Sequence, residues 1–133
     1  MTSDRESSSR QPDRAEPGAD VSRAALSLDV LVFYSPVEST EQVLAAVFAA
    51  GAGAIGDYTE CAWFTVGTGQ FRPGPGAAPA IGSVGALERL PEHRVEVTLP
   101  RASRRQVVAA LRRAHPYEEP AFHIIEAAAP DLP

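Results

Sequence analysis

RVEVTLP, residues 94–100, runs directly into RASRRQVVAALRRA, residues 101–114, and these two segments decide the fold. The first alternates apolar and polar side chains, which predicts a strand with one buried face, and Pro100 ends that strand. In the second, apolar residues recur at the spacing of an amphipathic helix, at Val107, Val108, Leu111 and Ala114. This strand and helix belong to the second of two similar halves of the chain.

The first half repeats the same succession of strand and helix. Residues 28–34 form a nearly continuous apolar run, which suits a strand buried on both faces, and Pro36 ends it. The sequence Ser-Thr-Glu-Gln at 39–42 is a capping-box pattern, with Ser39 as the expected helix cap. An amphipathic helix follows, and the glycine-rich stretch 51–56 is expected to end it.

Two further segments supply the remaining strands. Residues 58–66 are rich in aromatic and β-branched side chains, and residues 122–126 are similarly apolar. The order β-α-β-β-α-β predicts the ferredoxin-like α+β fold, a four-stranded antiparallel sheet with two helices on one face. Because neighbours on a strand point to opposite faces, Trp63 or Phe64 must face away from the helices. Self-association would cover that apolar surface.

Glycine and proline dominate the connection between the second and third predicted strands. Residues 67–85 contain nine of them, which predicts a loop without a regular element. Backbone N–H groups of such a loop could wrap an anion. The stretch 51–56 matches the pattern G-x-G-x-x-G, but it follows a helix and precedes a strand. A helix stop and a turn therefore explain it better than a dinucleotide site.

Length and composition bound the class of protein. The 133 residues suit one domain, placed at residues 26–127, with a disordered tail at 1–25 and a frayed end at 128–133. The net charge of −5 argues against a nucleic-acid partner, and the longest apolar runs are too short to cross a membrane. Cys61 is the single cysteine, so we expect no intrachain disulfide, a cytoplasmic location and a small buried residue at that position.

The element order brings four segments to the same end of the sheet, which we call the upper end. They are the turn after the first strand, the loop 67–85, the start of the third strand and the turn 115–120. Polar and titratable side chains converge there, so the upper end is where we expect a site. The candidate residues are Glu38, Arg72, His93, His115, Tyr117, Glu118 and Glu119.

His115 and Glu118 are the candidate metal ligands, since a histidine beside carboxylates can bind a divalent cation. Their spacing lies on a turn rather than on one helix face. The alternative is that the two side chains fix the turn by bonding backbone groups. His123, on the last strand, is expected to point away from its neighbours Phe122 and Ile124.

Four motifs occur in order along the chain: GAGAIGDY at 51–58, GTGQFRPG at 67–74, the glycines near 81–85 and AHPYEEPA at 114–121. Together they resemble the YqfO-type domain, the insert domain of the NGG-interacting-factor-like dimetal proteins. The last motif also resembles the HPYE turn of CutA proteins. The resemblance covers roughly residues 28–126. It implies a CutA/PII-like variant of the ferredoxin-like fold that associates as a trimer, with its sheets packed around the axis.

Within these motifs we predict ligand-binding roles for Thr68, Gly69, Arg72, Tyr117 and Glu119. The parent dimetal proteins hold two metal ions with a His/Asp/Glu cluster in flanking domains. The three histidines of this chain cannot reproduce that cluster. The hydrolase or GTP-cyclohydrolase activity of the parent family is therefore not expected here.

The favoured hypothesis is an oligomeric binding or regulatory module. It would hold a small ligand or a divalent metal ion at the rim between subunits, with the loop 67–85 as a mobile element. A protein-interaction scaffold without a ligand is the first alternative. A metal-assisted hydrolase using His115 and Glu119 with a bound water is the second. No nucleophile–base pair is evident in the sequence, so catalysis is less favoured than binding.

Overall fold

The computed structural model describes residues 27–128. Strands and helices follow in the order β1 (Leu28–Pro36), α1 (Thr40–Ala49), β2 (Trp63–Phe71), β3 (Glu88–Pro100), α2 (Arg104–Ala114) and β4 (Phe122–Ala127). A short 3₁₀ turn precedes each helix. The predicted tail 1–25 lies outside the described residues, and so does the predicted frayed end except for Ala128.

The strands form an antiparallel sheet in the order β2-β3-β1-β4. β1 is central because it pairs with β3 on one side and with β4 on the other. This topology confirms the predicted ferredoxin-like fold. It also places the end of β1, the start of β3 and the turn after α2 at the upper end of the sheet.

Both helices pack on one face of the sheet. Leu31 and Phe33 of β1 are fully buried there, and they alternate with Val32 and Tyr34, which point to the opposite face. We call that opposite face the outer face. The core cluster between the sheet and the helices is built from Leu31, Phe33, Val43, Leu44, Val47, Ala52, Val95, Val97, Leu99, Val107 and Leu111.

The outer face carries large exposed side chains. The strand register places Trp63 on the outer face and Phe64 on the helix side, as the alternation of side chains predicts. Trp63 is 58% exposed, and Ile125 on β4 is 46% exposed. His123 is exposed on the same face, as predicted. The sheet therefore presents uncovered apolar area on the side away from the helices.

The β2–β3 hairpin is longer than the sequence prediction. β2 starts later than expected, at Trp63, and continues through Gly67 and Gly69 to Phe71. The loop between the two strands is therefore 72–87. The predicted loop was wrong at its start because those two glycines pair within the β2–β3 ladder, and the missing side chain of Gly69 leaves room for a neighbour on β3.

The connection after α1 bears out the predicted glycine stop. Gly51 and Gly53 have φ angles of +115° and +82°, in the left-handed region that ends helices. The N–H of Gly53 then donates to the carbonyl of Thr98 at 2.8 Å, which ties the segment to β3. Cys61 follows, and it is only half-buried. The prediction of a fully buried cysteine was wrong because Cys61 precedes β2 instead of lying within it.

The start of α1 does not use the predicted capping box. Ser39 has helical backbone angles and makes no side-chain capping bond within the described part of the chain. Instead, the buried hydroxyl of Thr40 lies 2.7 Å from the Ser35 hydroxyl and 2.7 Å from Nδ1 of His93. The helix is thus anchored to β1 and β3 by side chains. This also places His93 on the helix side of the sheet.

A charge cluster lies at the opposite, lower end of the sheet. Asp29 is fully buried, yet it accepts hydrogen bonds from Nε of Arg101 at 2.9 Å and from Nε of Arg104 at 2.6 Å. Arg104 also donates to Glu126 at 2.8 Å. The hydrogen bond from Arg104 is the largest influence on the carboxyl group, and the two guanidinium groups together hold the pKa of Asp29 below its usual value.

Candidate functional site

A pocket of about 320 Å³ opens at the upper end of the sheet. Outer-face side chains contribute to its lining: Tyr34 from β1, Phe71 from β2 and Glu92 from β3. The loop 72–87 and the turn 115–121 supply the rest. The convergence of separate segments predicted for this end is therefore present as a concave site.

His115 holds the turn 115–121 in place. Its Nε2 lies 2.7 Å from the carbonyl oxygen of Tyr34, and its Nδ1 accepts a hydrogen bond from the backbone N–H of Tyr117 at 3.0 Å. A carbonyl oxygen only accepts, so Nε2 carries the proton and the ring is neutral. The residue is 6% exposed, and this burial lowers the pKa of His115.

Tyr117 stands between two other rings at the edge of the pocket. Its ring centroid is 5.1 Å from that of His115 and 5.6 Å from that of Phe71, the latter in an edge-on arrangement. The hydroxyl oxygen is buried and has no well-aligned hydrogen-bond partner within residues 27–128. The Glu92 carboxylate lies close to the Tyr117 hydroxyl and acts on it both as a charge and as a hydrogen-bond acceptor, although the two groups are not well aligned. Burial first, and then the charge of Glu92, raise the pKa of Tyr117 well above its usual value.

Glu92 is the site residue that the sequence did not single out. Its side chain lies against the backbone of Gly69, where a Cβ would collide with the carboxyl group. Glu92 and Gly69 are diagonal neighbours in the β2–β3 ladder, on the same face. Burial raises the pKa of the Glu92 carboxyl. A glycine inside a strand, next to an acidic residue on the adjacent strand, was the available signal.

The loop 72–87 is tied both to itself and to the turn. The N–H of Gly85 donates to the Pro73 carbonyl at 2.9 Å, and Arg72 donates to the Gly85 carbonyl at 2.7 Å. The N–H of Ala78 donates to Oε2 of Glu118 at 2.9 Å. These bonds close the base of the loop and fasten its middle across the pocket. Glu118 thus orders the loop from the opposite wall.

The predicted site residues separate into two groups. Three of them line the pocket: Tyr117, Glu118 and Glu119. The others lie beneath, behind or outside the lining. Gly69 supports Glu92, His115 fixes the turn, Arg72 bonds the loop backbone, His93 faces α1, and Thr68 and Glu38 are exposed. Their predicted ligand-binding roles stay predictions.

The metal role predicted for His115 and Glu118 meets an unfavourable geometry. Both ring nitrogens of His115 are engaged with the backbone, and one carboxylate oxygen of Glu118 accepts the Ala78 bond. Across residues 27–128, no three His, Cys, Asp or Glu side chains are grouped so that they could hold a metal ion. The residues do not fit a metal centre, and the geometry favours the alternative of a turn fixed by backbone hydrogen bonds.

In the described portion of the chain, neither helix is long and apolar enough to cross a membrane.

No family model matches the chain. A Mycobacterium bovis protein named "GTP cyclohydrolase 1 type 2 homolog" is 58% identical over 108 residues, which are 81% of this chain and 28% of that relative. A solved Bacillus cereus protein related to NIF3 is 38% identical, with a TM-score of 0.65, over 76% of this chain and 26% of that one. This chain contains a YqfO-type domain. It spans 28% of the length of the mycobacterial relative.

The YqfO-type domain shares its fold with two smaller proteins. CutA from Synechococcus elongatus matches with a TM-score of 0.54 and 20% identity, over 77% of this chain and 78% of that one. Bacillus subtilis GlnK, solved as an ATP complex, matches with a TM-score of 0.50 and 8% identity, over 77% and 85%. Identities this low indicate the fold alone. They confirm the predicted CutA/PII-like variant of the ferredoxin-like fold.

Proposed function

We propose that this chain is a cytoplasmic regulatory module that binds a small ligand in the pocket at the upper end of the sheet. The observation that carries the proposal is the buried Tyr117 hydroxyl, which borders a pocket of about 320 Å³ and has no well-aligned hydrogen-bond partner in the described chain, although the Glu92 carboxylate lies close to it. Buried polar groups are normally well paired, so a hydroxyl without a well-aligned partner at a cavity is a position where a bound ligand can complete the pairing.

Within this proposal, the ligand contacts Tyr117, Glu119 and Glu92. Gly69 positions the side chain of Glu92. Arg72 and Glu118 order the loop that covers the ligand, through their bonds to Gly85 and Ala78. The loop acts as a fastened cover rather than as a freely mobile element. Opening it requires the bond between Glu118 and Ala78 to break, which couples ligand entry to a discrete structural change.

Binding is a better proposal than catalysis for this pocket. Both ring nitrogens of His115 are hydrogen-bonded to the backbone. His115 therefore has no free nitrogen with which to accept a proton from a substrate as a general base. The cyclohydrolase in the mycobacterial relative's name belongs to a protein of which this chain spans 28%. The ATP complex of GlnK supports the general idea that this fold accommodates a ligand.

Self-association through the outer face is part of the same proposal, with a trimer favoured. The support is the exposed apolar area around Trp63 and Ile125, on the face that the helices leave uncovered. Native mass spectrometry tests it. A trimer that becomes a monomer on Trp63→Glu substitution is the expected result, with His123→Glu as a less disruptive change on the same face. A wild-type monomer at micromolar concentration contradicts it.

Protein-observed NMR tests the binding proposal. We expect a mixture of small amines, acids and nucleotides to shift backbone amides of the loop 72–87 and the turn 115–121. Ala77→Leu, which fills the pocket lining, should abolish these shifts. Ala86→Leu, on the same loop but away from the lining, should leave them intact. Shifts that survive Ala77→Leu, or that map to another surface, would place binding elsewhere.

A further inference from the structure

The lining of the pocket carries charge of one sign. Three carboxylates border it, from Glu92, Glu118 and Glu119, and among the described residues the lining contains no Arg, Lys or His. Glu92 is the most enclosed of the three and forms no salt bridge within residues 27–128. A partly buried carboxylate without a cation is costly, because burial removes its water without supplying an opposite charge.

The arginines nearest to the pocket are engaged around its outside. Arg72 donates to the Gly85 carbonyl at 2.7 Å, and Arg89 donates to the side-chain oxygen of Gln70 at 2.8 Å. Arg94 donates to the Tyr34 hydroxyl at 2.9 Å and also forms an ion pair with Glu96. These contacts satisfy polar groups at the rim. They leave the three lining carboxylates without a guanidinium partner.

The remainder of the lining is aromatic and aliphatic. The rings of Phe71 and Tyr117 border the cavity together with that of Tyr34, over which the guanidinium of Arg94 already lies at 5.8 Å. Pro79 and Ile81 of the loop also line the cavity. Aromatic faces attract cations electrostatically, and the aliphatic wall favours an apolar body. A ligand that combines both would satisfy the carboxylates and the rings at once.

We infer that this pocket takes an organic cation with an apolar body, of the aryl- or alkyl-ammonium or guanidinium class. This rests on the proposed function of the pocket as a ligand site. The cationic N–H groups donate to Glu92 and Glu119, where charge-assisted hydrogen bonds are strong. The Tyr117 hydroxyl completes the set, and the apolar body lies against Phe71 and the loop. A phosphate or nucleotide is disfavoured, since its charge repels all three carboxylates.

The test uses probes matched in shape and different in charge. Benzylammonium, benzyl alcohol and phenyl phosphate are titrated into the full chain and followed by NMR, with ATP as a fourth probe. We expect benzylammonium to bind at least about tenfold more tightly than benzyl alcohol, which corresponds to one charge-assisted hydrogen bond of about 1.4 kcal/mol. Its affinity should fall as salt is added. Phenyl phosphate and ATP should produce no shifts at the pocket.

Matched variants locate the effect. Glu92→Gln should weaken benzylammonium binding about tenfold and leave benzyl alcohol unchanged, because only the charge is removed. Glu41→Gln makes the same chemical change on the exposed side of α1 and should alter neither. If Glu92→Gln does not fold, Glu119→Gln, at an exposed position of the turn, takes its place.

The outcomes separate this inference from the proposed function. Binding of phenyl phosphate or ATP at the pocket, without benzylammonium, overturns the cation inference and leaves the pocket as a ligand site. Equal affinity for benzylammonium and benzyl alcohol also overturns it. If none of the four probes shifts the loop 72–87 or the turn 115–121, the binding function itself is contradicted together with the inference.

Discussion

Asp29 and Glu92 are carboxylates that the fold removes from water at opposite ends of the same sheet. Asp29, at the lower end, receives hydrogen bonds from Arg101 and Arg104, and its pKa is lowered. Glu92, at the upper end, lies over Gly69 without a salt bridge in the described chain, and its pKa is raised. Asp29 is paired with two guanidinium groups, whereas Glu92 has only the neutral Tyr117 hydroxyl beside it.

The difference separates a structural role from a functional one. A buried charge with good partners can stabilise a fold, whereas an uncompensated one costs stability unless something outside the chain compensates it. Asp29 ties β1 to α2, and its environment is complete. Glu92 borders a cavity, and its environment is incomplete. The upper end is therefore where the proposed ligand would change the stability of the fold most.

Removing the charge at the lower end should have the largest effect on stability. Asp29→Asn leaves two guanidinium groups facing a neutral amide that donates where the carboxylate accepted. We expect the free energy of unfolding to fall by about 3 kcal/mol, as measured by urea denaturation. Glu126→Gln removes an exposed partner of the same arginines and should change the stability far less. Equal losses for the two variants would contradict the distinction.

The glycine beneath Glu92 allows a sharper test at the upper end. Gly69→Ala adds a Cβ that collides with the Glu92 carboxyl, so the side chain must leave its place. We expect a loss of no more than about 1 kcal/mol in unfolding free energy, because the atoms that must move are the flexible end of the Glu92 side chain. Gly67→Ala is the matched control on the same strand and face, with no described atom within 4 Å of the new Cβ. It should be neutral or slightly stabilising. Similar losses at both positions would mean that the close approach of Glu92 is unimportant.

Two tyrosine hydroxyls near the pocket make a further contrast. Tyr34→Phe removes the acceptor of a hydrogen bond from Arg94, and we expect a loss of about 1 kcal/mol. Tyr117→Phe removes a hydroxyl that has no well-aligned partner within the described residues and only the Glu92 carboxylate close to it, so the loss of stability should be smaller than for Tyr34→Phe. Thermal and urea unfolding measure both. A loss for Tyr117→Phe as large as that for Tyr34→Phe would show that its hydroxyl is already well paired.

The pH dependence of stability is the smallest of the expected effects, and its sign for Glu92 is opposite to its sign for Asp29. Because the folded-state pKa of Glu92 is raised, the folded chain binds more protons than the unfolded chain above about pH 4.5, so stability is lost as the pH rises. Glu92→Gln should therefore gain stability relative to the wild type between pH 4.5 and 7. Asp29 behaves conversely, since its contribution is lost as the pH falls below about 3.8. Parallel stability curves for wild type and Glu92→Gln would contradict the raised pKa.

The sequence was sufficient for the fold because its periodic patterns are local. The alternation of Val95, Val97 and Leu99 with polar neighbours defines one buried face, and the spacing of Val107 and Leu111 defines a helix side. Each pattern survives in the structure because the core cluster uses those same residues. The topology follows, since the order of the elements leaves few ways to pair the strands.

The sequence was less informative about boundaries and partners, which depend on tertiary contacts. Gly67 and Gly69 look like turn residues until β3 is placed beside them. Ser39 looks like a cap until Thr40 is seen to bond Ser35 and His93. Glu92 lies in an unremarkable stretch, and its position follows only from the strand register.

The structure has a pocket at the upper end, where the sequence analysis predicted a site, but the contacts of individual side chains there could not be predicted from the sequence. The HPYE turn suggested His115 as a metal ligand, whereas in the structure its Nε2 contacts the carbonyl of Tyr34 and its Nδ1 accepts the backbone N–H of Tyr117 within the turn. Which side chains of a turn face a cavity and which face the backbone is decided by the packing of the turn on β1. The spacing of the residues along the sequence does not predict how the turn packs on β1.

The bond from Gly85 to Pro73 closes the base of the loop 72–87, so its two ends meet at the edge of the sheet. A segment with adjacent ends can be exchanged for another of different length without moving the strands that carry it. The loop over the pocket can therefore vary in length and sequence while the sheet that carries it stays the same. Natural selection or protein engineering can thus change the ligand preference proposed for the pocket without changing the core.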